Sequence, residues 1–257
     1  MSIYEHFRKE ERSFVDKVLE WQLDVKNRYA PKLTDFLDPR ERLILSQVIG
    51  NDPEVQLEFR GGTDGAERMR ALLAPPYFEI KEEDFELALL SVNYPSKFVT
   101  LTHRNVLGSL MSIGLKRAKF GDIVLAKEEV QMVVAREIVD YVRLNLTSIG
   151  KATVSLDEIP FSKAIKAEKD WTEETGTVSS MRLDTVLAEI YNLSRSKAST
   201  YIQGEMAKVN WKIASQPSFE IEEQDILSLR GYGRSKIISI EGKTKKEKWR
   251  IIFGRQK

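Results

Sequence analysis

The order of hydrophobic patterns along the middle of the chain constrains its fold more than any other feature of the sequence. Apolar residues that alternate or run together predict strands, whereas apolar residues every three or four positions predict helices. After residue 85 the patterns predict a strand, a helix, two strands, a helix and a strand, at 86–93, 104–115, 122–126, 130–135, 136–146 and 151–156. Such an order places two helices against one four-stranded sheet.

This βαββαβ order is typical of a ferredoxin-like or RNA-recognition-motif (RRM) sandwich. We predict such a domain over residues 51–156, preceded within it by an additional strand at 55–59 and a helix at 66–74. Two prolines at 75–76 end that helix. The sequence QMVVA at 131–135 offers no aromatic residue for stacking RNA bases, so the usual RRM binding face is not predicted.

The first fifty residues predict a helical unit. Apolar residues at mostly three- and four-residue spacings indicate one or two amphipathic helices over 4–28. A second helix is predicted to start at Asp38, with Pro39 in the first helical position, Glu41 as capping-box partner and Gly50 at its end.

The C-terminal region predicts two helices followed by short strands. A polar connector with one extended segment is predicted at 157–180, followed by helices at 183–191 and 195–203 and a strand from Ala207 to Ile213. Further strands follow, punctuated by GYG at 231–233 and by a basic turn at 243–248.

The charge of the chain is divided unevenly, although its net value is only +1. Residues 181–257 contain 15 Lys and Arg against 9 Asp and Glu, a net charge of +6, whereas residues 1–180 contain 25 against 30, a net of −5. A basic module attached to mildly acidic ones indicates a polyanionic partner for the C-terminal region.

The composition argues against several classes of protein. The chain has no cysteine and only two histidines, which argues against disulfides, thiol catalysis and a catalytic zinc site. No apolar run approaches the ~20 residues that span a bilayer. We therefore expect a cytoplasmic protein without metal or cofactor, and we predict no catalytic residues.

The helix predicted at 195–203 starts with an unfavourable arrangement of charge. Ser194 is a good N-cap, but Arg195 and Lys197 follow in the first turn, where the positive end of the helix dipole disfavours cations by up to roughly 1 kcal/mol each. A phosphate bound at this helix end would reverse the sign of the effect, because the unpaired backbone N–H groups and both cations would then face an anion.

Motifs around this helix resemble the S4 RNA-binding domain over residues 181–240. In chain order they are Arg182-Leu183-Asp184, LSRSKA at 193–198, Gly204, KVN at 208–210, Pro217-Ser218 and DILSLR at 225–230. The sequence departs from the general S4 pattern where Trp211 and Lys212 replace a glycine after the asparagine and where Gln224 replaces the glycine before Asp225.

Further motifs resemble the YlmH type of S4 protein along the entire chain. They are TDFLDPRE at 34–41, HRNVLGSLMSIGLKR at 103–117, RGYGR at 230–234 and TKKEKWR at 244–250. The resemblance predicts an α+β protein with a helical unit (1–50), a ferredoxin/RRM-like domain (51–156), a connector (157–180) and an S4 domain (αα plus small β) with a C-terminal β extension (181–257).

The resemblance also implies function and partners. It implies binding to structured RNA on the large ribosomal subunit, namely 23S rRNA and tRNA, in the quality control of stalled nascent chains. Since no catalytic constellation is found, we expect a non-catalytic protein, and we expect it to be a monomer. The expected RNA-binding residues are Arg182, Ser194, Arg195, Ser196, Lys197, Lys208, Asn210, Lys212, Arg230 and Arg234.

Two other functions stay open. An RNA-modifying enzyme could have its chemistry in residues 51–156 and use the S4 domain for targeting, and an adaptor could act through the N-terminal helices. The R-L-D triplet at 182–184 is superficially similar to that of pseudouridine synthases, but it starts a helix here. GGTDG at 61–65 lacks the spacing of a nucleotide-binding loop, and neither His103 nor the acidic run at 81–86 is part of a catalytic constellation.

Overall fold

The computed structural model describes residues 3–166 and 171–256. The chain divides into two units, residues 1–167 and 168–257. The first unit contains the N-terminal and middle regions, and the second contains the basic C-terminal region.

The N-terminal part of the first unit packs two helices against a three-stranded antiparallel sheet of order β1-β3-β2. Its elements are α1 (Arg12–Arg28), β1 (Lys32–Leu37), α2 (Pro39–Ile49), β2 (Gln56–Arg60) and β3 (Met69–Ala74). The predicted capping box is confirmed: Asp38 Oδ1 accepts a hydrogen bond from the Glu41 amide at 2.9 Å, and Glu41 Oε2 accepts one from the Asp38 amide at 2.8 Å.

The prediction of a helix at 66–74 is wrong, since Met69–Ala74 is strand β3. It is the central strand of its sheet, and five of its six residues are buried. A short strand covered on both faces has a continuous apolar run, which periodicity cannot distinguish from a buried helix. Its partner β1 was not predicted either. The domain boundary at residue 50 remains a prediction, although hydrogen bonds of this sheet join strands on both sides of it.

The middle part of the first unit has the predicted ferredoxin/RRM-like topology. Its elements are β4 (Leu87–Asn93), α3 (His103–Ser112), β5 (Phe120–Ala126), β6 (Glu129–Ala135), α4 (Val139–Asn145), the short strands β7 (Ser148–Ile149) and β8 (Ala152–Thr153), and β9 (Ser155–Ile159). The antiparallel order β5-β6-β4-β9 places the first and third strands of the βαββαβ pattern at the centre of the sheet. The last strand was predicted at 151–156 and lies at 155–159 instead.

One face of this sheet is covered by neighbouring parts of the same unit. The ring of Phe36 lies over Gly121, where a β-carbon would be 2.8 Å from Phe36 Cε1 and 3.1 Å from Val133 Cβ. Further along β6, Gln131 donates to the carbonyl of Lys163 at 3.0 Å and accepts from the amide of Ile165 at 2.9 Å. Strand β1 and the segment after β9 therefore cover the face that an RRM uses for RNA.

The second unit is a six-stranded antiparallel sheet with two helices on one face. Its elements are β10 (Trp171–Val178), α5 (Leu183–Ile190), α6 (Arg195–Gln203), β11 (Ala207–Val209), β12 (Lys212–Ile213), β13 (Ile226–Leu229), β14 (Gly233–Lys243) and β15 (Trp249–Gln256). The strand order is β10-β15-β14-β13-β11-β12. Both helices were predicted within one residue of these bounds.

Two details of the second unit differ from the predictions. The strand predicted from Ala207 to Ile213 is broken at Asn210 and Trp211 into β11 and β12. Much of the predicted connector is strand, since β10 pairs with β15 along its whole length. Residues 167–170 of the connector lie outside the described residues.

Candidate RNA-binding site

The N-terminus of α6 has the predicted cap. The Ser194 hydroxyl accepts a hydrogen bond from the Lys197 amide at 3.2 Å and lies 3.1 Å from the hydroxyl of Ser196. These three residues and Arg195 are exposed. The first turn of α6 therefore presents two hydroxyl groups, two cations and the positive end of the helix dipole to solvent.

A buried carboxylate positions two of the predicted cations. Asp184 has 3% of its side chain exposed. Its carboxylate accepts hydrogen bonds from Arg182 Nε at 3.1 Å and Nη2 at 3.2 Å, and from Arg195 Nε at 2.9 Å. Both guanidinium groups extend to the surface, with 40% and 56% of their side chains exposed. Asp184 thus holds two arginines side by side next to the α6 turn.

The pKa of Asp184 reflects this arrangement. Burial alone would raise the pKa of this carboxyl, but the hydrogen bonds and charges of Arg182 and Arg195 outweigh that effect and lower it below its ordinary value. The carboxylate is therefore ionised at neutral pH. Together with Lys197, the cluster carries three positive charges against one buried negative charge. We call Arg182, Ser194, Arg195, Ser196 and Lys197 the α6 surface.

Tyrosine side chains extend the α6 surface. Lys197 Nζ lies 5.8 Å from the centroid of the Tyr201 ring, and the Tyr201 and Tyr232 rings are 5.7 Å apart with their hydroxyl oxygens at 3.3 Å. Both rings are partly exposed. A basic surface with neighbouring aromatic rings is suited to bind nucleic acid, because cations contact phosphates and rings stack on bases.

The sheet separates two predicted residues from the α6 surface. Lys208 is paired with Ser228, and Ser228 with Arg234, so these residues form a row across β11, β13 and β14. Their neighbours Val209, Leu227 and Ser235 are buried on the helix side. Because side chains alternate along a strand, Lys208 and Arg234 lie on the face opposite the helices.

Two further predicted cations occupy other positions. Lys212 is exposed on edge strand β12 and pairs in register with Val209, which places it on the helix side of the sheet. Arg230 is exposed in the turn between β13 and β14, two residues before Tyr232. The structure therefore gathers Arg182, Arg195 and Lys197 closely and distributes the remaining cations around the domain.

Asn210 has a structural role, which corrects its assignment as an RNA contact. Its side chain is buried, donates to Asp225 Oδ1 at 2.7 Å and accepts from the Ile226 amide at 3.0 Å. These bonds hold the turn between β11 and β12, where Asn210 and Trp211 have φ of 47° and 66°. We therefore leave Asn210 out of the proposed RNA surface.

The departures from the general S4 pattern fall at left-handed backbone positions. Trp211 and Gln224 have φ of 66° and 68° where glycine is usual. The backbone N–H of Gln224 nevertheless donates to the Ile237 carbonyl at 2.8 Å, and the side-chain Nε2 of Gln224 donates to the Ile238 carbonyl at 3.0 Å. Hydrogen bonds on both sides thus hold the turn before Asp225 without a glycine.

The sequence did not reveal Asp184, Tyr201 and Tyr232 as parts of the site. The sequence patterns mark Asp184 only as part of a triplet that starts a helix, and they do not single out Tyr201 or Tyr232. The available signal was the spacing of Asp184 from the two arginines, but a carboxylate eleven residues from Arg195 becomes its partner only after α5 and α6 pack together.

The weaker candidates have ordinary structural surroundings. Gly62 (φ 80°) lies in a tight turn, where a β-carbon would clash with Phe161 at 2.4 Å. In the acidic run, Glu82 pairs with Arg60 at 2.7 Å and Asp84 accepts from the Lys81 amide at 2.7 Å. Within 3–166 and 171–256, no group of three His, Cys, Asp or Glu side chains is placed to hold a metal ion. No helix in the same ranges is long and apolar enough to cross a membrane.

Comparison with known families and proteins decides where the chain belongs. Residues 10–78 match the family model "YlmH, N-terminal", residues 81–163 match "Putative RNA-binding domain in YlmH", and residues 181–227 match "S4 domain". The chain is 51% identical over 255 residues, 99% of each protein, to the "Ribosome-associated protein quality control protein P2" of Bacillus subtilis (strain 168). The chain belongs to the YlmH family.

A solved structure of the YlmH family supports the fold. The "Cell division protein ylmH from Streptococcus pneumoniae" is 35% identical, has a TM-score of 0.56, and covers 64% of this chain and 100% of its own. The predicted family, the S4 domain and the α+β fold are thereby confirmed. The model "Putative RNA-binding domain in YlmH" matches the residues of the RRM-like sheet, whose usual binding face is covered in this YlmH-family chain.

Proposed function

We propose that this protein binds the backbone of structured RNA through the α6 surface. The observation that carries the proposal is the buried carboxylate of Asp184, which holds Arg182 and Arg195 side by side at the N-terminus of α6. A single buried acid that orients two exposed arginines leaves their outer N–H groups directed toward a surface anion. Arginine is suited to this role because its planar group can bond two phosphate oxygens at once.

The α6 surface also explains the unfavourable charge at the helix start. Exposed backbone N–H groups, the hydroxyl groups of Ser194 and Ser196, and the charges of Arg195 and Lys197 all favour an anion at the same position. Asp184 already offsets part of the charge of Arg195, and a bound phosphate would attract both cations and the positive end of the helix dipole. Local instability of this kind is expected where binding, and not folding, determines the residue types.

The proposed setting is the ribosome. The Bacillus subtilis relative is named for ribosome-associated quality control, and it matches 99% of the chain. We infer the same setting here: a monomer in the cytoplasm that contacts 23S rRNA and tRNA on the large subunit while stalled nascent chains are processed. Deletion of residues 181–257 should abolish cosedimentation with large subunits, whereas persistent association would favour the adaptor hypothesis.

The proposed role is non-catalytic. Within the S4 domain, the aspartate of the R-L-D triplet is the residue that a pseudouridine synthase would use, but Asp184 is buried and bonded to two arginines. A carboxylate in these surroundings supports binding better than chemistry. Incubation with ribosomal RNA and tRNA followed by mass spectrometry should show no new modification, and a reproducible one would contradict this part of the proposal.

The decisive experiment replaces Arg195 and Lys197 together by glutamine. Glutamine is preferable to glutamate at position 195 because a new carboxylate there would lie next to Asp184. We expect the affinity for structured RNA to fall about 10- to 100-fold at moderate salt, and the slope of log K against log salt to flatten by about 1.4–1.8, or 0.7–0.9 per lost phosphate contact. Binding titrations at several salt concentrations measure both quantities.

A matched control removes two charges elsewhere in the same domain. Lys245 and Lys246 are exposed in the turn between β14 and β15. Their double glutamine variant changes the net charge equally, and we expect a smaller loss of affinity. Equal losses of affinity in both variants would show that RNA binding depends only on the overall charge of the domain, and the α6 surface would then have no special role.

A further inference from the structure

A cavity of about 390 Å³ lies beside Tyr232 at the strand ends of the C-terminal sheet. Gly233 and Arg234 from the start of β14 and Tyr232 from the turn before it line the cavity, together with Thr172 and Glu174 from β10 and Arg255 from β15. The cavity adjoins the aromatic side of the α6 surface, because the Tyr232 ring is also the neighbour of Tyr201. None of the partners assigned above accounts for it.

The aromatic wall of the cavity is fixed in place. The Tyr232 ring lies 5.6 Å from the ring of Tyr191 and 5.7 Å from that of Tyr201. Gly231 and Gly233 on either side of it have φ of 88° and 101°, which residues with a β-carbon rarely adopt. A ring that is held by two other rings and by a constrained turn loses little conformational freedom when a ligand stacks on it.

The charged residues on the helix side of the cavity are Glu174 and Arg255, which form an ion pair, whereas the side chain of Arg234 lies on the other face of the sheet. Arg255 Nη1 lies 3.6 Å from Glu174 Oε1, and the guanidinium carbon is 5.9 Å from the centroid of the buried Tyr191 ring. The carboxylate reduces the attraction for a phosphate inside the cavity. It also supplies an acceptor for the amino group of a base, while the guanidinium supplies donors and a planar surface. These groups suit a nucleobase better than a phosphate.

We propose that this cavity receives one unpaired base of the bound RNA, which stacks on Tyr232 and contacts Glu174 and Arg255. The inference rests on the proposed RNA binding and deepens it: the α6 surface holds the backbone, and the cavity selects RNA with a base free to leave the helix. Since Lys197 is linked to Tyr232 through the Tyr201 ring, backbone and base contacts lie next to each other.

The test compares two RNA hairpins that differ by one bulged nucleotide, 2-aminopurine, which is absent from the fully paired hairpin. Wild-type protein should bind the bulged hairpin more tightly and quench the fluorescence of 2-aminopurine by stacking. In Tyr232→Ala, affinity for the bulged hairpin should fall by about 5- to 150-fold, the range for loss of one stacked base, and this loss should exceed any loss of affinity for the paired hairpin.

Two further variants separate stacking from folding. Tyr232→Phe keeps the ring and should retain both the preference and the quenching. Thr172→Leu leaves all the tyrosines unchanged but fills part of the cavity from an exposed position on β10. It should lower the affinity for the bulged hairpin more than the affinity for the paired hairpin. Because Thr172→Leu removes no core contact, it gives an answer even if Tyr232→Ala does not fold.

The outcomes distinguish this inference from the proposed function. Equal affinity of wild-type protein for both hairpins, or an unchanged preference in Tyr232→Ala and Thr172→Leu, would overturn the base cavity and leave backbone binding intact. Failure of wild-type protein to bind either hairpin or ribosomal RNA would instead overturn the proposed function. If a variant loses the preference for the bulged hairpin while its slope of log K against log salt is unchanged, the base-binding cavity is supported, because the lost contact is then not a phosphate contact.

Discussion

The RRM-like sheet and the S4 sheet differ in what covers the faces that could meet RNA. In the RRM-like sheet, Leu89 and Val133 are cross-strand partners on the face that an RRM exposes, yet both are almost fully buried here. In the S4 unit the first turn of α6 is exposed, and the buried carboxylate of Asp184 orients its Arg195 together with Arg182. The RRM-like sheet keeps the RRM topology but has its usual binding face covered, whereas the S4 unit exposes the surface that we propose to bind RNA phosphates.

This difference shows that topology alone does not locate a binding surface. The face of an antiparallel sheet is available only when no other element packs on it, and strand β1 and the segment after β9 pack on this one. Any RNA contact of the RRM-like domain must therefore use its helices, loops or edges. The following predictions would break or sharpen this comparison.

Phe36→Ala should have the largest effect on stability. The ring is almost fully buried over Gly121 and Val133, so its removal leaves a cavity, and we expect a loss of about 3–5 kcal/mol in the free energy of unfolding. Chemical denaturation measures this loss. RNA affinity, measured at a temperature where the variant is folded, should remain unchanged.

Phe98→Ala is the matched control, because Phe98 is 88% exposed and its removal should change stability by less than about 0.5 kcal/mol. If Phe36→Ala bound RNA much more tightly than wild-type protein, uncovering the sheet would have restored an RNA-binding face. If it lost RNA binding while folded, the contrast between the two sheets would be wrong.

Asp184→Asn should have an intermediate, pH-dependent effect. The folded protein lowers the pKa of Asp184, so the carboxylate stabilises the fold fully above its unfolded pKa of about 4, and this contribution is lost as pH falls through the lower folded value. Near pH 7 we expect the variant to be less stable by about 1 kcal/mol, since both arginines are partly exposed to water. Denaturant titrations between pH 2 and 7 measure the difference.

The difference between wild-type protein and Asp184→Asn should shrink toward zero at the acidic end of that range. A difference that stays constant with pH would mean that Asp184 contributes through packing and not through its charge. RNA affinity should also fall in the variant at neutral pH, because Arg182 and Arg195 lose the group that orients them.

Substitutions of single cations on opposite faces of the S4 sheet should have the smallest effects on RNA binding, and these effects should differ between the two faces. Arg195→Gln should flatten the salt dependence of RNA binding by about 0.7–0.9, the value for one phosphate contact, whereas Lys208→Gln on the other face should leave the slope unchanged. Binding isotherms in a salt series measure both slopes. Equal changes would show that RNA reaches both faces, and the proposed surface would need to include the row of Lys208 and Arg234.

Local signals in the sequence predicted local structure well. Asp38 with Glu41 predicted the start of α2, and Ser194 with Gly204 predicted both ends of α6, because caps depend on residues within one turn of each other. The βαββαβ order predicted the middle topology, because hydrophobic periodicity within each segment indicates its element and that order of elements is typical of one fold. Strand β3 was predicted as a helix, since an apolar run buried on both faces has no period that distinguishes the two.

The candidate site was predicted in part. The basic α6 turn followed from its own residues, and the S4 resemblance added Arg182 beside it. The division of the cations by the sheet, which places Lys208 and Arg234 on the other face, depended on strand register. The buried role of Asn210 depended on Asp225, fifteen residues away.

The sequence by itself determined the family, the caps of α2 and α6, and the concentration of positive charge in the last third of the chain. Only the tertiary structure decided that Asp184 lies under two arginines, that Tyr232 lines a cavity, and that Phe36 covers the RRM-like sheet. The physical reason is the separation along the chain of the residues that interact. Caps and periodicity arise between near neighbours, whereas burial and charge pairing arise between residues that only the packed chain brings together.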